Sequence, residues 1–256
     1  MALNDDVILR TEQLTKKFGE LVAVDHVNIR IRRGTIHAII GPNGAGKTTF
    51  LNLITGILRP TEGKIFFEGR DVTTLPAHKR AKLGIGRSFQ IPSLYSYLTT
   101  LECVRIAVQA KYPHISTNLF SPIKAYPDLF HESLKVLATV GLYGKTSILV
   151  KNLTLSDKRK LELALAIASN PKLLLLDEPT AGLSIEEIPV ITRIIQKLKR
   201  GDRAIVVIEH KIDVVLTLAD RITVMDRGKI IADGTPSEIV NNEKVQEVYL
   251  GEVIRI

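Results

Sequence analysis

Hydrophobic positions along the chain follow two patterns, which predict two kinds of strand. Residues 27–32 alternate strictly between apolar and polar, as in an antiparallel strand with one face in the core. A short strand over residues 65–67 is expected after a turn at Glu62-Gly63. Residues 173–176 and 204–208 are instead continuously apolar, which is typical of parallel strands covered by helices on both faces. We therefore expect an antiparallel portion near the N-terminus and a parallel portion later.

The stretch between residues 91 and 165 is predominantly helical in its pattern. Thr99 and Glu102 have the spacing of a capping box, in which each side chain bonds the backbone N–H of the other residue. A helix over residues 101–109 should follow it. A second and stronger helix is predicted over residues 157–169, before the Asn-Pro pair that ends it.

Strands and helices alternate over the second half of the chain. Helices are predicted over residues 186–199 and 211–219, and an apolar strand over residues 222–225. Arg227-Gly228 is a hairpin signal, and Thr235-Pro-Ser-Glu238 combines a capping box with proline at the first helical position. Alternating strands and helices of this kind indicate an α/β fold with a mostly parallel sheet.

Composition and charge narrow the class of protein. The chain has 256 residues, and no run approaches the roughly 18–20 apolar residues that span a bilayer. Asp5 and Asp6 lie where a signal peptide would need a basic and then an apolar segment, so none is expected. Cys103 is the single cysteine, which excludes an internal disulfide and fits a reducing compartment. The net charge of +8 is spread along the chain, which favours a solvated surface over a nucleic-acid site, with acidic lipid as a second choice.

The segment Gly41–Thr49, GPNGAGKTT, fits the phosphate-binding pattern G-x-x-x-x-G-K-[ST]. A strand is expected before it, over residues 37–40, and a helix after it, over residues 48–55, which is the arrangement that the pattern requires. Glycines allow backbone N–H groups to approach a polyphosphate, and the helix directs its positive end at the anion. The predicted nucleotide-binding residues are Gly41, Pro42, Asn43, Gly44, Ala45, Gly46, Lys47, Thr48 and Thr49. Lys47 adds a charge against the phosphates, and the Thr48 hydroxyl is offered to Mg²⁺.

Two adjacent acids follow the apolar run 173–176. Asp177 is expected to hold the water shell of Mg²⁺, and Glu178 to polarise the attacking water. His210 follows the next apolar strand, and Gln90 lies in a loop before the helical stretch. Because ligands of parallel sheets bind at the carboxyl ends of the strands, Asp177, Glu178 and His210 should lie together beside the phosphate-binding loop.

The order of these motifs resembles the ATPase subunit of an ABC transporter over essentially the whole chain: GPNGAGKTT, then Gln90, then LLLLDEP, then His210. The resemblance implies that Phe18 stacks on adenine. It implies that Gln90 contacts both Mg²⁺ and a membrane partner. His210 would be the switch histidine on the γ-phosphate, and Glu178 the catalytic base.

The family signature, usually LSGGQ, aligns with Leu153–Asp157, LTLSD. Thr154 keeps a hydroxyl, whereas Ser156 replaces a glycine and Asp157 replaces glutamine. By the resemblance, Thr154 and Ser156 contact ATP held by a partner subunit. The Cβ of Ser156 limits backbone approach to a phosphate, and Asp157 should repel an anion there. Ser184 likewise stands where the family usually has aspartate.

The resemblance implies the fold of a P-loop NTPase with a mixed core sheet, an antiparallel β subdomain and a helical subdomain. One ABC ATPase domain would span residues 1–256. Its expected parts are a catalytic core with the antiparallel subdomain at 1–90 and 166–235, a helical subdomain at 91–165, and a C-terminal helical extension at 236–256.

The segment Gly84–Gln90, a long proline-containing insert and the ending Val248–Glu252 resemble the longer ATPase of branched-chain amino acid importers. The expected function is ATP hydrolysis with Mg²⁺ at the cytoplasmic face of the membrane, in a homo- or heterodimer of ABC ATPases. The expected partners are permease subunits and, indirectly, an extracytoplasmic solute-binding protein, with no nucleic acid. Importers of urea and short amides, a soluble ABC ATPase of DNA repair or translation, and a nucleotide-binding subunit with weak turnover are the alternatives; lipopolysaccharide exporters fit less closely.

Overall fold

The computed structural model describes residues 6–88, 93–112 and 126–253. The chain divides into two units. The first consists of Met1–Ile85, Lys172–Pro179 and Gln196–Ile256, and the second of Gly86–Pro171 and Thr180–Ile195.

The described residues form strands and helices that we number in chain order. The strands are β1 (Val7–Phe18), β2 (Leu21–Val27), β3 (Arg30–Arg32), β4 (Ile36–Ile40), β5 (Glu62–Phe67), β6 (Arg70–Asp71), β7 (Ile85–Arg87), β8 (Leu173–Asp177), β9 (Ala204–Ile208), β10 (Arg221–Asp226) and β11 (Lys229–Gly234). The helices are α1 (Lys47–Thr55), α2 (Ala77–Leu83), α3 (Thr100–Gln109), α4 (Pro127–Thr139), α5 (Leu155–Ala168), α6 (Ile188–Leu198), α7 (Ile212–Leu218), α8 (Pro236–Val240) and α9 (Glu243–Val253). Short 3₁₀ helices lie at Ser93–Tyr97, Tyr143–Lys145 and Val150–Asn152.

An antiparallel sheet has the strand order β2-β1-β5-β6, with β3 paired to β1. The prediction of one continuous strand over residues 27–32 is wrong, because β2 ends at Val27 and β3 begins only at Arg30. The break is associated with Thr11 in the neighbouring strand β1. The Thr11 hydroxyl donates to the Val27 carbonyl at 2.9 Å and accepts from the Ile29 N–H at 3.1 Å. These bonds divert the backbone between β2 and β3 to the Thr11 side chain.

The turn predicted at Glu62-Gly63 is also wrong, because both residues belong to β5. Gly63 has φ 87°, and a Cβ there would overlap the backbone of Gln13. The register between β1 and β5 shifts between Glu12 and Thr15. The glycine therefore marks a bulge, where the two backbones approach closely, rather than a chain reversal.

A six-stranded sheet in the order β11-β10-β4-β9-β8-β7 forms the second layer of strands. The pairs β10/β4, β4/β9 and β8/β9 are parallel, and β10/β11 is antiparallel. Every residue of β4 and β9 is buried, as is every aliphatic residue of β8. The continuously apolar runs were therefore predicted correctly as central parallel strands, and the mixed sheet agrees with the expected α/β class.

Helices α3, α4 and α5 pack together in the second unit. The capping box of Thr99 and Glu102 is confirmed, and so is that of Thr235 and Glu238 in the first unit. Helix α5 begins at Leu155, two residues before the predicted start, because the hydroxyl of Thr154 accepts from the Asp157 N–H at 3.2 Å and caps the helix. Among the residues described, no helix is long and apolar enough to cross a membrane.

Candidate functional site

Three parallel strands of the first unit end at one edge of the six-stranded sheet. Strand β4 leads into Gly41, β8 ends in Asp177 and Glu178, and β9 leads to His210. Strand β9 lies between the other two, with Ile208 opposite both Ile39 and Asp177. The sequence therefore predicted correctly that the phosphate-binding loop, the acid pair and the histidine meet at one edge.

The loop between β4 and α1 can be formed only with glycine at two positions. Gly41 has φ 151°, and a Cβ there would overlap the Met225 carbonyl oxygen. Gly46 has φ 97°, and a Cβ there would overlap the Ala23 carbonyl oxygen. Gly44, with φ 81°, faces open space. Gly41 and Gly46 thus allow the backbone conformation at the two ends of the loop, and Gly44 leaves the middle of the loop open to a ligand.

Helix α1 presents an uncapped N-terminus beside this loop. Gly46 is its N-cap, without a side-chain cap, and its first turn carries no acidic residue. Thr48 in this turn is exposed and Thr49 is half-buried. The positive end of the helix is therefore available to an anion, and none of its own carboxylates competes for it.

Lys47 is 6% exposed, and its ammonium group is held inside the loop. Its Nζ donates to the Gly41 carbonyl at 2.7 Å and to the Pro42 carbonyl at 2.9 Å. Ala45, which is buried, donates its N–H to Pro42, whereas Asn43 is exposed. A buried cation, an open glycine and a bare helix N-terminus together match the chemistry of a polyphosphate.

Glu178 and His210 are hydrogen-bonded to each other. His210 Nε2 lies 2.7 Å from Glu178 Oε1, and the carboxylate accepts from the ring N–H. The side chains are 43% and 39% exposed for Glu178 and His210, so solvent reaches both. Glu178 has φ 48°, an uncommon conformation for a non-glycine residue, and its N–H bonds the Ile208 carbonyl at 3.0 Å.

The oxygen donors at this edge suit Mg²⁺. Thr48 offers a hydroxyl and Asp177, which is half-buried, offers a carboxylate. Mg²⁺ prefers hard oxygen ligands, and in sites that bind phosphates it commonly takes only one or two from carboxylates. Gln90, the third predicted ligand, lies outside the described residues, so its placement is not part of this site.

Phe18, at the end of β1, is 46% exposed. The Lys16 ammonium lies 5.0 Å from the centre of its ring. A half-exposed ring offers a flat surface on which a base can stack, whereas a core phenylalanine would be enclosed.

Helix α5 carries the two predicted signature contacts in the second unit. Thr154 is its N-cap, and Ser156 is only 8% exposed, so that Leu155, at 46%, is the more exposed side chain of this turn. Leu155 therefore adds exposed bulk at this turn, and the effect expected of the Ser156 Cβ on backbone approach stays a prediction.

Two lysines that the sequence analysis missed hold the Asp157 carboxylate. Lys145 bonds one oxygen, and Lys160 bonds the other at 3.2 Å. Burial alone would raise the pKa of Asp157, but the hydrogen bonds from both lysines outweigh it and lower the pKa. The expectation of an uncompensated repulsive charge is therefore corrected. Lys160 could have been found from its helical spacing to Asp157; nothing in the sequence indicates Lys145.

Comparisons with known proteins agree on one family. Residues 24–181 match the ABC transporter family model, and residues 229–254 match that of the branched-chain amino acid ATP-binding cassette transporter. The probable branched-chain amino acid transport ATP-binding protein LivG of Archaeoglobus fulgidus is 38% identical over 246 residues, 95% of each chain.

Solved structures of ATP-binding cassettes are also similar. One such cassette of an ABC transporter, solved in its ADP conformation, is 31% identical to this chain in sequence. Its TM-score is 0.85, and the match covers 96% of this chain and 99% of the other. A dimeric cassette in a post-hydrolysis state bound to ADP and Pi is 27% identical, with a TM-score of 0.76 over 90% and 99%.

Proposed function

Since this chain belongs to the ATP-binding cassettes of ABC transporters, which are ATPases coupled to transport, we propose that it powers an importer of branched-chain amino acids. The observation that carries the choice of solute is the match of residues 229–254 to the branched-chain cassette model. The LivG protein of Archaeoglobus fulgidus, which is similar over 95% of this chain, has branched-chain amino acid transport in its name.

ATP binds, in this proposal, along the edge where β4, β8 and β9 end. Phe18 stacks on the adenine, and the Lys47 ammonium exchanges its loop carbonyls for phosphate oxygens. The N–H groups at the start of α1 face the polyphosphate. Residues Gly41–Thr49 form the loop around it, as the open approach at Gly44 and the bare helix N-terminus support.

Thr48, Asp177 and Gln90 are the residues that would hold Mg²⁺. The ion neutralises charge on the phosphate oxygens when it is bound.

Hydrolysis is assigned to the pair of Glu178 and His210. The Glu178 carboxylate accepts a proton from water while the water oxygen forms a bond to the γ-phosphorus. The bond from that phosphorus to the β–γ bridging oxygen breaks, and the products are ADP and phosphate. His210 keeps the carboxylate in place through its 2.7 Å hydrogen bond. By the family resemblance it also acts on the γ-phosphate.

Transport requires a second ABC ATPase and membrane subunits in this proposal. Thr154 and the backbone at Ser156 face ATP held by the second ATPase. The permease docks beside Gln90 and the residues after it, as far as Tyr97. Tyr97 is 76% exposed, as expected of a docking residue. The complex then lies at the cytoplasmic face of the membrane, receives solute from an extracytoplasmic binding protein and involves no nucleic acid.

Each expected subdomain has its own role in this proposal. The core at 1–90 and 166–235 binds and cleaves ATP, the helical part at 91–165 carries the signature and the docking segment, and 236–256 is an extension.

Uptake into proteoliposomes tests the proposed function. The chain is co-expressed with its membrane subunits and second ATPase, reconstituted with ATP inside, and supplied with binding protein and labelled leucine. Leucine uptake that is lost with Lys47→Ala supports the proposal. Uptake of urea or acetamide instead of leucine would contradict the assignment of branched-chain amino acids as the solute. An active ATPase that never co-purifies with membrane subunits would contradict the importer.

Cross-linking from position 93 tests the docking segment separately. A photo-reactive group at Ser93→Cys should capture a membrane subunit in the assembled complex. The same group at Lys229→Cys, in β11 of the other unit, serves as the control. Capture of soluble proteins alone from position 93 would count against the docking site.

A further inference from the structure

Arg80 is a buried cation. Among the hydrogen bonds of the described residues, none joins its guanidinium to a carboxylate. It lies on α2 and is 1% exposed. Its guanidinium donates to four backbone carbonyls: Nη1 to Leu53 at 2.7 Å and to Ile54 at 2.8 Å, Nη2 to Thr73 and Nε to Leu75, both at 2.9 Å. Burial lowers its pKa to about 10, and the field of Asp71 opposes that change.

Two of these carbonyls belong to the last turn of α1, the helix whose N-terminus borders the phosphate-binding loop. The carbonyls at a helix C-terminus lack intrahelical partners and carry partial negative charge. The guanidinium donates to the Ile54 carbonyl and to that of Leu53, which also accepts from the Gly56 N–H at 3.2 Å, and its charge complements the helix dipole. Gly56 ends α1 with φ 79°, and a Cβ there would lie 2.9 Å from both Arg80 Nε and the Leu75 carbonyl oxygen. Glycine therefore allows the guanidinium and its carbonyl partner to pack closely against the end of α1.

The segment that carries Arg80 also contacts the strand of the acid pair. Gly84 ends α2, and its carbonyl accepts from the N–H groups of Lys172 at 2.9 Å and Leu173 at 3.0 Å. Leu173 begins β8, whose other end is Asp177. Within the first unit, α2 thus joins the far end of the loop helix to the far end of the acid-bearing strand.

We propose that Arg80 is a positioning residue for ATP binding. Arg80 fixes α1 from its C-terminal end and so holds the phosphate-binding loop at a set distance from Asp177 and Glu178. The proposal rests on the proposed function in one respect, namely that ATP binds at this edge. Arg80 itself acts only through the backbone of α1 and does not contact the nucleotide.

Substitution by lysine and methionine tests this role. Lysine keeps a cation but is a point charge with three donors, so it cannot reproduce the planar contacts to four carbonyls. Methionine removes the cation as well. The matched control is Arg203→Lys, because Arg203 Nη1 donates to the Leu198 carbonyl at the C-terminus of α6, which does not carry the loop.

The readouts are melting temperature, ATP affinity by displacement of a fluorescent ATP analogue well below the melting temperature, and kcat in the assembled transporter. Arg80→Lys should weaken ATP binding by about two- to tenfold, the range that corresponds to the net loss of one hydrogen bond while the charge is kept. Arg80→Met should weaken it further. Arg203→Lys should lower the melting temperature and leave ATP affinity within about twofold, since it acts on a different helix.

A purely structural role predicts a different outcome: all variants lose thermal stability and keep wild-type ATP affinity, and this would overturn the proposal. If Arg80→Met does not fold, Arg80→Lys carries the test, because lysine keeps the cation and loses the planar contacts to the carbonyls. Wild-type protein that binds no ATP at all would contradict the proposed function instead of the role of Arg80.

Discussion

His210 and Glu178 are 32 residues apart in the chain, and the ring Nε2 of one donates to the carboxylate Oε1 of the other at 2.7 Å. The contact arises because β8 and β9 are adjacent parallel strands that end at the same edge. It restrains the carboxylate of Glu178, whose backbone already has the uncommon φ of 48°. The two side chains therefore act as one unit.

A double-mutant cycle should reveal this unit. His210→Ala and Glu178→Gln should each reduce kcat of the assembled transporter by roughly 10²–10⁴, the contribution of a positioned base. Because each loss disables the same pair, the double variant should be little slower than the slower single variant. Losses that simply multiply would show that the hydrogen bond does not couple the two residues.

Lys47→Ala should abolish tight ATP binding. It removes charge-assisted contacts to phosphate, each worth about 1.5–3 kcal/mol. It also removes the two bonds that hold the ammonium inside the loop. Titration with a fluorescent ATP analogue measures the loss, and Lys17→Ala on the exposed end of β1 is the control. Unchanged affinity would exclude the loop as the phosphate site.

Alanine at Gly41 and at Gly44 should have unequal effects. At Gly44 the added Cβ meets open space, so only the left-handed backbone is penalised, by about 1–2 kcal/mol. At Gly41 it would overlap the Met225 carbonyl, so that β10 or the loop must move. Chemical denaturation should therefore show a larger loss for Gly41→Ala. Equal losses would mean that the loop backbone at Gly41 and the Met225 carbonyl can move apart at little cost in stability.

Stability should fall as the pH drops from 6.5 toward 4 because of His37. This histidine of β4 is 1% exposed, and its Nε2 lies 2.7 Å from the Thr223 hydroxyl, which donates to Asp233. Burial lowers the pKa of His37 from 6.5 to about 4, although Asp233 opposes the change and Arg221 adds to it. In this window the unfolded chain binds a proton that the folded chain does not, so folding loses roughly 3 kcal/mol in total.

Denaturant titrations between pH 4.5 and 6.5 measure this contribution. His37→Gln, which cannot titrate, should flatten the dependence on pH, whereas His78→Gln on the exposed side of α2 should leave it as in wild type. A wild-type slope that survives in His37→Gln would assign the effect to another group.

The sequence predicts the central strands and the site at their ends because these features depend on local patterns. The apolar runs 173–176 and 204–208 are short and continuous, which is typical of central parallel strands, and a phosphate-binding loop needs glycine wherever it occurs. The capping boxes are local as well. The edge at which Glu178 and His210 meet follows from parallel topology alone.

Features that depend on distant partners could not be predicted. Strand β1 was missed, because Ile8 and Leu9 are both buried and Gln13, with φ 48°, lies where the register shifts. The bulge at Gly63 depends on that strand. The carbonyl contacts of Arg80 and the bond from Lys145 to Asp157 join segments whose proximity no periodicity indicates.

Single-turnover cleavage of ATP by the Glu178→Gln variant in the assembled transporter tests the central claim most directly. ATP labelled at the γ-phosphate is bound first, and its cleavage is then followed beside wild type and beside the control Glu187→Gln. The account predicts that bound ATP is retained at wild-type affinity and that cleavage slows by roughly 10²–10⁴, because the proton acceptor is gone. Cleavage within about twofold of wild type would contradict it, because the base would then lie elsewhere.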